Sequence, residues 1–313
     1  MFKEIAAEAG RCAKAALDLL LPRKCVVCGR RLGLNEDRLC HYCLGDVPHT
    51  YYWARKYNPM ADRFNEMIGR DALWADEPYA YAAALFFYRA GSGWREITKS
   101  LKYHGDIPLG RQFARELGRR LAGSPQFADV DVVMPVPLHW TRRWSRGYNQ
   151  AEVIAREVAE CLGRARLAAG DRPGDSGGNR LPECGVGLSD GGQDFKTVRL
   201  DTKTLVRRRR TRTQTKLSVA DKARNVSGAF VAKQRSAGVP VWWPRRMGKA
   251  GFPFLWPRRA AWSGCDVRPH HVLLLDDVYT TGATLNECRR ALREYYGPGV
   301  RISIATLAVV DKD

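Results

Sequence analysis

Asp276 and Asp277 follow the apolar run Val272-Leu273-Leu274-Leu275 and precede Thr280-Thr281-Gly282-Ala283-Thr284. Paired carboxylates accept strong hydrogen bonds from O–H donors such as those of a sugar. The threonine turn behind them opens a segment, running to about residue 296, whose pattern reads as a helix. Backbone N–H groups at a helix N-terminus attract anions, and Gly282 lets the backbone approach closely. A hydroxyl grip beside a phosphate cradle suits a ribose carrying a 5′-phosphate. An isolated Asp-Asp pair is equally well read as the cap of an ordinary turn, and the threonine turn behind it tips the balance toward a ligand.

The second chemical cluster is Cys25-Val26-Val27-Cys28 and, eleven residues on, Cys40-His41-Tyr42-Cys43. Each Cys-x-x-Cys pair offers two sulfurs from one tight turn, and four soft thiolates close a tetrahedral site for which zinc is the default ion. With all four positions filled by sulfur the site is structural, and His41 and His49, though near, are not needed. Cys12, Cys161, Cys184, Cys265 and Cys288 have no metal spacing and read as packing or incidental thiols. Nine cysteines, four of them clustered, speak against a disulfide framework and for a reducing, cytoplasmic compartment.

The surrounding elements must hold these groups in place. Residues 80–89 read as a strand, 94–103 and 107–121 as helices broken at Tyr103-His104-Gly105-Asp106, 131–137 as a buried strand ending in prolines, and 149–162 as an amphipathic helix. The alternation predicts an α/β fold with a mainly parallel sheet flanked by helices. The run 272–275 is expected to be a buried parallel strand that stops at the two carboxylates, the sheet end where such folds bind ligands. Residues 2–21 have near-helical apolar spacing, as a helix that packs on the body or meets a partner or membrane surface.

Residues 272–285 resemble the signature of the type I phosphoribosyltransferases, which bind 5-phosphoribosyl 1-pyrophosphate (PRPP). The wider pattern resembles the ComF family of competence and DNA-uptake proteins. Its blocks are the Cys-x-x-Cys pairs, Leu101-Lys102-Tyr103-His104-Gly105, Pro135-Val136-Pro137-Leu138-His139 and Arg146-Gly147-Tyr148-Asn149-Gln150-Ala151. Thr211 with Gln214 and Leu217 follow, then Arg224-Asn225 ahead of Gly228-Ala229-Phe230. The resemblance implies a zinc-ribbon-like module with an N-terminal helix in residues 1–60 and a type I phosphoribosyltransferase fold in 78–313.

It also implies roles. Asp276 and Asp277 would be the catalytic pair holding the ribose 2′- and 3′-hydroxyls, with Mg²⁺ bound mainly through the ligand's own oxygens. Thr280, Thr281, Gly282, Ala283 and Thr284 would cradle the 5′-phosphate. The turn at Val136 and Pro137, with Arg142 and Arg146, would face the pyrophosphate, where the planar arginine fork grips phosphate oxygens. Residues 207–217, with Arg212 and Gln214, stand where the family has a flexible loop that closes on the ligand; taken alone, the run 207–210 reads equally as a solvated basic face. Lys102 is expected as a secondary anion contact. His139 is expected to be structural rather than a base, since a base must face a defined acceptor.

Two segments depart from the family and read as insertions, 164–203 and 233–266. The first holds eight glycines and little periodicity. The second carries Trp242, Trp243, Trp256 and Trp262 among prolines and basic residues, with no acid over 233–264. Such rings could stack on bases or pack on the domain.

At 313 residues, 27% charged and 45% hydrophobic, the chain has the composition of a folded protein. Its net charge of +19 favours polyanionic partners. No apolar run is long enough to span a bilayer, and charges interrupt 2–21, which argues against a spanning helix and a signal peptide. The expected function is PRPP binding in DNA uptake, with single-stranded DNA and a competence helicase as partners. The alternative is an active transferase that displaces pyrophosphate from PRPP with an unidentified nitrogenous acceptor; nothing in the sequence reads as a purine or orotate pocket.

Overall fold

The computed structural model describes residues 20–71, 77–89, 91–169, 198–209, 226–233 and 269–310. Outside them lie most of the expected helix at 2–21, Thr211, Arg212, Gln214, Leu217, Arg224 and Asn225, and the bulk of both insertions with their four tryptophans.

Among the elements that lie wholly within the described residues, the first helices are α1 (His41–Gly45) and α2 (Pro59–Gly69). Asn58 caps α2, its Oδ1 accepting from the Met60 and Ala61 N–H groups at 3.1 and 2.9 Å, and Pro59 supplies a helix-ready first residue. Then come β1 (Ala82–Tyr88), α3 (Arg95–Tyr103), α4 (Ile107–Ala122), β2 (Val132–Pro135), α5 (Trp140–Arg146), α6 (Gln150–Ala168) and β3 (Arg199–Leu200). The chain closes with β4 (Leu205–Arg207), β5 (Phe230–Ala232), β6 (His271–Tyr279), α7 (Ala283–Tyr296) and β7 (Arg301–Val310).

Five strands form one parallel sheet in the order β1-β7-β6-β2-β3, and β4 and β5 form a separate antiparallel ribbon. Both faces of the sheet are covered. Leu273 and Leu275 point into the layer of Leu117, Ile154 and Val158, while Val272 and Leu274 join Phe64 and Leu292 on the other face. Burial on both faces is why β6 is continuously apolar instead of alternating.

Two boundaries differ from expectation. Helix α6 runs on to Ala168, so residues 164–168, expected to open the first insertion as a loop, are helical. Residues 164–169 contain no glycine or proline, and Arg166 ties the last turn to the Ala128 carbonyl at 2.6 Å. At the far end of the same segment, β3 pairs with Val132 and Val133 at the sheet edge. Strand β6 does not stop at the carboxylates but passes through them to Tyr279, because β7 continues the ladder, with Asp276 opposite Thr306 and Tyr279 opposite Val309.

Polar networks lock the ends of the sheet. His271, fully buried, bonds Asp129 at 2.6 Å and Ser303 at 2.7 Å, joining β6 to β7 at the end opposite the carboxylates. On the back of α7, the buried Arg289 and Arg293 both pair with Glu77, the latter at 2.8 Å. Among the described residues no helix is long and apolar enough to cross a membrane.

Candidate functional site

Strand β2 ends at Pro135, opposite Leu275, one residue before Asp276. From there β6 keeps β7 on one side and is open on the other. The chain after β2 travels outward to β3, whereas the chain after β6 travels through α7 to β7 on the opposite side. Neighbouring parallel strands whose connections diverge leave a crevice at their carboxyl ends. A cavity of about 1100 Å³ opens there. Its lining includes Val136, Pro137, Arg142, Arg146, Asp276 and Asp277, together with the whole turn from Thr280 to Thr284. The residues expected to bind PRPP within the described chain thus meet at one cavity; Arg212 and Gln214 lie outside the described residues.

The acids sit in unequal settings. Asp277 is buried, with Oδ2 2.6 Å from Nζ of Lys102 on α3, and its N–H donates to Asp276 Oδ1 at 2.9 Å. Burial, and then the neighbouring Asp277, push the Asp276 carboxyl up to about 7, against the pull of Lys102. Burial also works against the Lys102 ammonium, but Asp277 and then Asp276 outweigh it and raise its pKa. Lys102, expected as an anion contact, lines the cavity and is paired there with Asp277.

The turn that follows depends on Gly282. It sits at φ 78° as the N-cap of α7, and a Cβ there would lie 2.5 Å from Met67 Cε and 2.7 Å from Tyr279 Oη. Only glycine combines the left-handed conformation with that clearance. The first helical bond runs from Asn286 N–H to the Gly282 carbonyl at 2.9 Å, so the N–H groups of Ala283 to Leu285 precede the ladder, where anions bind.

The opposite lip is α5. His139 caps it, its Nδ1 3.4 Å from the Thr141 N–H, a structural role as expected. Gly147, at φ 78°, ends the helix so that Asn149 can start α6 and hold the Val136 carbonyl at 3.1 Å. Arg146 bonds Gln150 at 3.1 Å and stacks over Tyr103. From the other side Arg207 reaches the same cavity. It lies at the end of β4, paired with Phe230, so the segment expected to be a loop from 207 onward begins as a ribbon strand. Burial, and then the nearby Arg142, hold the Arg207 guanidinium below the usual arginine range. Crowded cations of this kind are relieved by an anion.

In the N-terminal cluster the Sγ atoms of Cys25, Cys28, Cys40 and Cys43 all lie within 4.8 Å of one another, with Cys28 and Cys40 3.7 Å apart. Tetrahedral zinc with Zn–S near 2.3 Å requires sulfurs about 3.8 Å apart, so the quartet fits one such ion. Burial opposes the Cys25 thiolate, but N–H groups led by Cys28 and Cys40 bring its pKa down to about 7. Burial and the other sulfurs push the Cys43 thiol up. A bound cation would offset the mutual repulsion of closely packed thiolates. Glu36 braces the cluster, accepting from Gly33 N–H and His41 N–H at 2.7 Å each. The cluster also touches the elements of the cavity. Gly93, just ahead of α3, faces Val27 so closely that a Cβ would lie 2.1 Å from its carbonyl oxygen, and Arg38 pairs at 2.8 Å with Asp106, the N-cap of α4.

Sequence reasoning missed Tyr88, Arg95, Thr98 and Lys99, which share the cavity. The spacing 95, 98, 99, 102 along one helix was the available signal, since it marks a single face. No family model matches the chain. Over 280 residues, 87% of this chain and 91% of the relative, the sequence is 27% identical to competence protein F of Haemophilus influenzae, so the ComF likeness carried by its motifs extends to a curated relative along most of its length.

Proposed function

We propose that this chain is a ComF-type protein that binds PRPP and serves DNA uptake, with a structural zinc in residues 1–60 and a phosphoribosyltransferase-like body in 78–313. The observation that carries the reading is the opening of Asp276, Asp277 and the Thr280–Thr284 turn on one cavity with Arg142 and Arg146. In that reading the acids accept from the ribose hydroxyls, the N–H groups ahead of the α7 ladder and the threonine hydroxyls hold the 5′-phosphate, and the arginines beyond Pro137 face the pyrophosphate. Mg²⁺ would arrive with the ligand and neutralise its phosphates, held mainly by the ligand's own oxygens. Arg212 and Gln214 keep their proposed place in the closing loop. The role in competence is supported by the likeness to competence protein F.

Calorimetric titration with PRPP and Mg²⁺ tests the site without an acceptor. The wild-type chain binds, and Asp277→Asn weakens binding about tenfold or more, the worth of a lost hydrogen bond to a charged group, while circular dichroism shows the fold retained. Unchanged affinity in the variant overturns the assignment.

Two further readings have an observation each. Trp140 and Trp144, one helical turn apart on α5, are 70% and 86% exposed, and Arg143 lies between them. Exposed rings among arginines stack bases and neutralise phosphates, which supports single-stranded DNA as a partner, with a competence helicase acting on the same strand. The cavity, at about 1100 Å³, lies just above the roughly 300–1,000 Å³ range of small-molecule pockets, which leaves room for an acceptor. In transfer, the acceptor nitrogen's lone pair would form the bond to ribose C1 as the C1–O bond breaks. The electron pair would depart with pyrophosphate, and the acceptor's proton would go to solvent.

A further inference from the structure

The side of the cavity away from the Thr280 turn is built by α3. Arg95, Thr98, Lys99 and Lys102 recur at i, i+3, i+4 and i+7, one helical face, and all of them line the cavity. The other face of the helix buries Ile97 and Leu101 completely, which fixes its rotation. Beneath α3, strands β1 and β7 end side by side with Tyr88 opposite Val310, and both residues reach the cavity. This sector lies over β7 and β1, while the acid pair and the threonine turn belong to β6 and α7.

The three cations on α3 are not equivalent. Lys102 is held by Asp277 and Lys99 by Glu96. Arg95, among the described residues, pairs with no carboxylate. Beside it are the Thr98 hydroxyl, buried within the helix face, and the Tyr88 hydroxyl, which lies in the field of Lys102, Asp277 and Arg95. The Thr98 hydroxyl donates to the Arg95 carbonyl at 3.1 Å, which leaves the arginine fork and the Tyr88 hydroxyl as donors. That pair is complementary to a carboxylate or a phosphate, and the fork's charge is left unanswered by a neutral base. Arg95 is half-buried, and a ligand that leaves a partly desolvated charged donor unpaired forfeits affinity, so this wall selects by charge.

We propose that the α3 face, centred on Arg95, is a second anion subsite that takes an acidic second ligand bearing a carboxylate or phosphate, the acceptor if the protein transfers. The proposal rests on the ribose-phosphate reading of the β6 site.

The test loads the full chain with PRPP and Mg²⁺ and then titrates orotate and nicotinate as carboxylate probes, O-phosphoethanolamine as a phosphate probe, and adenine and hypoxanthine as neutral ones. Acidic probes are expected to bind and neutral ones not, and comparison of the carboxylate and phosphate arms identifies which anion is preferred. Arg95→Ala weakens the acidic probes about tenfold or more and leaves PRPP affinity within about twofold, because Arg95 lies outside the ribose-phosphate grip. Preference for neutral bases, no binding of any acidic probe, or acidic binding that ignores Arg95→Ala overturns the subsite. Loss of PRPP affinity in Arg95→Ala also overturns it, since the face would then belong to the first ligand. If the wild-type chain fails to bind PRPP at all, the ribose-phosphate reading falls first and the subsite falls with it.

Discussion

Asp276 ties the electrostatics of the cavity to the stability of the whole fold. Its carboxyl is lifted to about 7, by burial first and by Asp277 second, whereas in the unfolded chain it titrates near 4. Between those values the folded state holds a proton that the unfolded state has lost, so stability falls as pH rises and the loss is complete above about 7. A rise from near 4 to about 7 caps the loss at about 4 kcal/mol. Asp276 faces a water-accessible cavity with Lys102 nearby, which reduces the expected value to about 1–3 kcal/mol. Asp276→Asn removes the ionisation and keeps an oxygen for the Asp277 N–H. Urea unfolding followed by circular dichroism, on zinc-loaded protein without nucleotide, should give the variant a stability advantage that grows as pH rises from about 6, where the thiolate site still holds zinc, and reaches about 1–3 kcal/mol at about pH 8. PRPP binding should be weakened in the same variant, the usual exchange of stability for function. A difference that does not grow with pH, or a variant less stable at the alkaline end, would refute the assignment of a strained, desolvated carboxylate.

Gly93→Ala places a methyl against the Val27 carbonyl, a backbone atom that cannot swing away. The expected outcome is faster zinc release to a chromogenic chelator from a protein that starts with about one zinc per chain, and a release rate equal to wild type would show that the cluster does not depend on this packing. Trp140→Ala combined with Trp144→Ala should weaken binding of a labelled oligothymidine by about 1–3 kcal/mol per lost stacked base, measured by anisotropy at several salt concentrations; an unchanged curve removes α5 as a stacking platform.

Local features were legible in the sequence because contiguous residues encode them. The period of the apolar runs marked the strands and helices, the Cys-x-x-Cys spacing marked a compact thiolate quartet, and the acid pair followed by a threonine turn marked one end of the sheet. Element limits were less legible. Strand β6 runs through Asp276 only because β7 supplies a partner on that side, and α6 outlasts its expected end because Arg166 finds the Ala128 carbonyl.

What the sequence by itself determined is the inventory of reactive groups and the order of α and β elements, since turn, cap and period are short-range effects. Only the tertiary structure decided that Lys102 would pair with Asp277, that Arg95, Thr98 and Lys99 would face the same cavity as the threonine turn, and that Arg207 would crowd Arg142. Charge interactions and desolvation act through space between segments far apart in the chain. They take their values only when the crossover from β1 to β2 brings α3 over the ends of the strands.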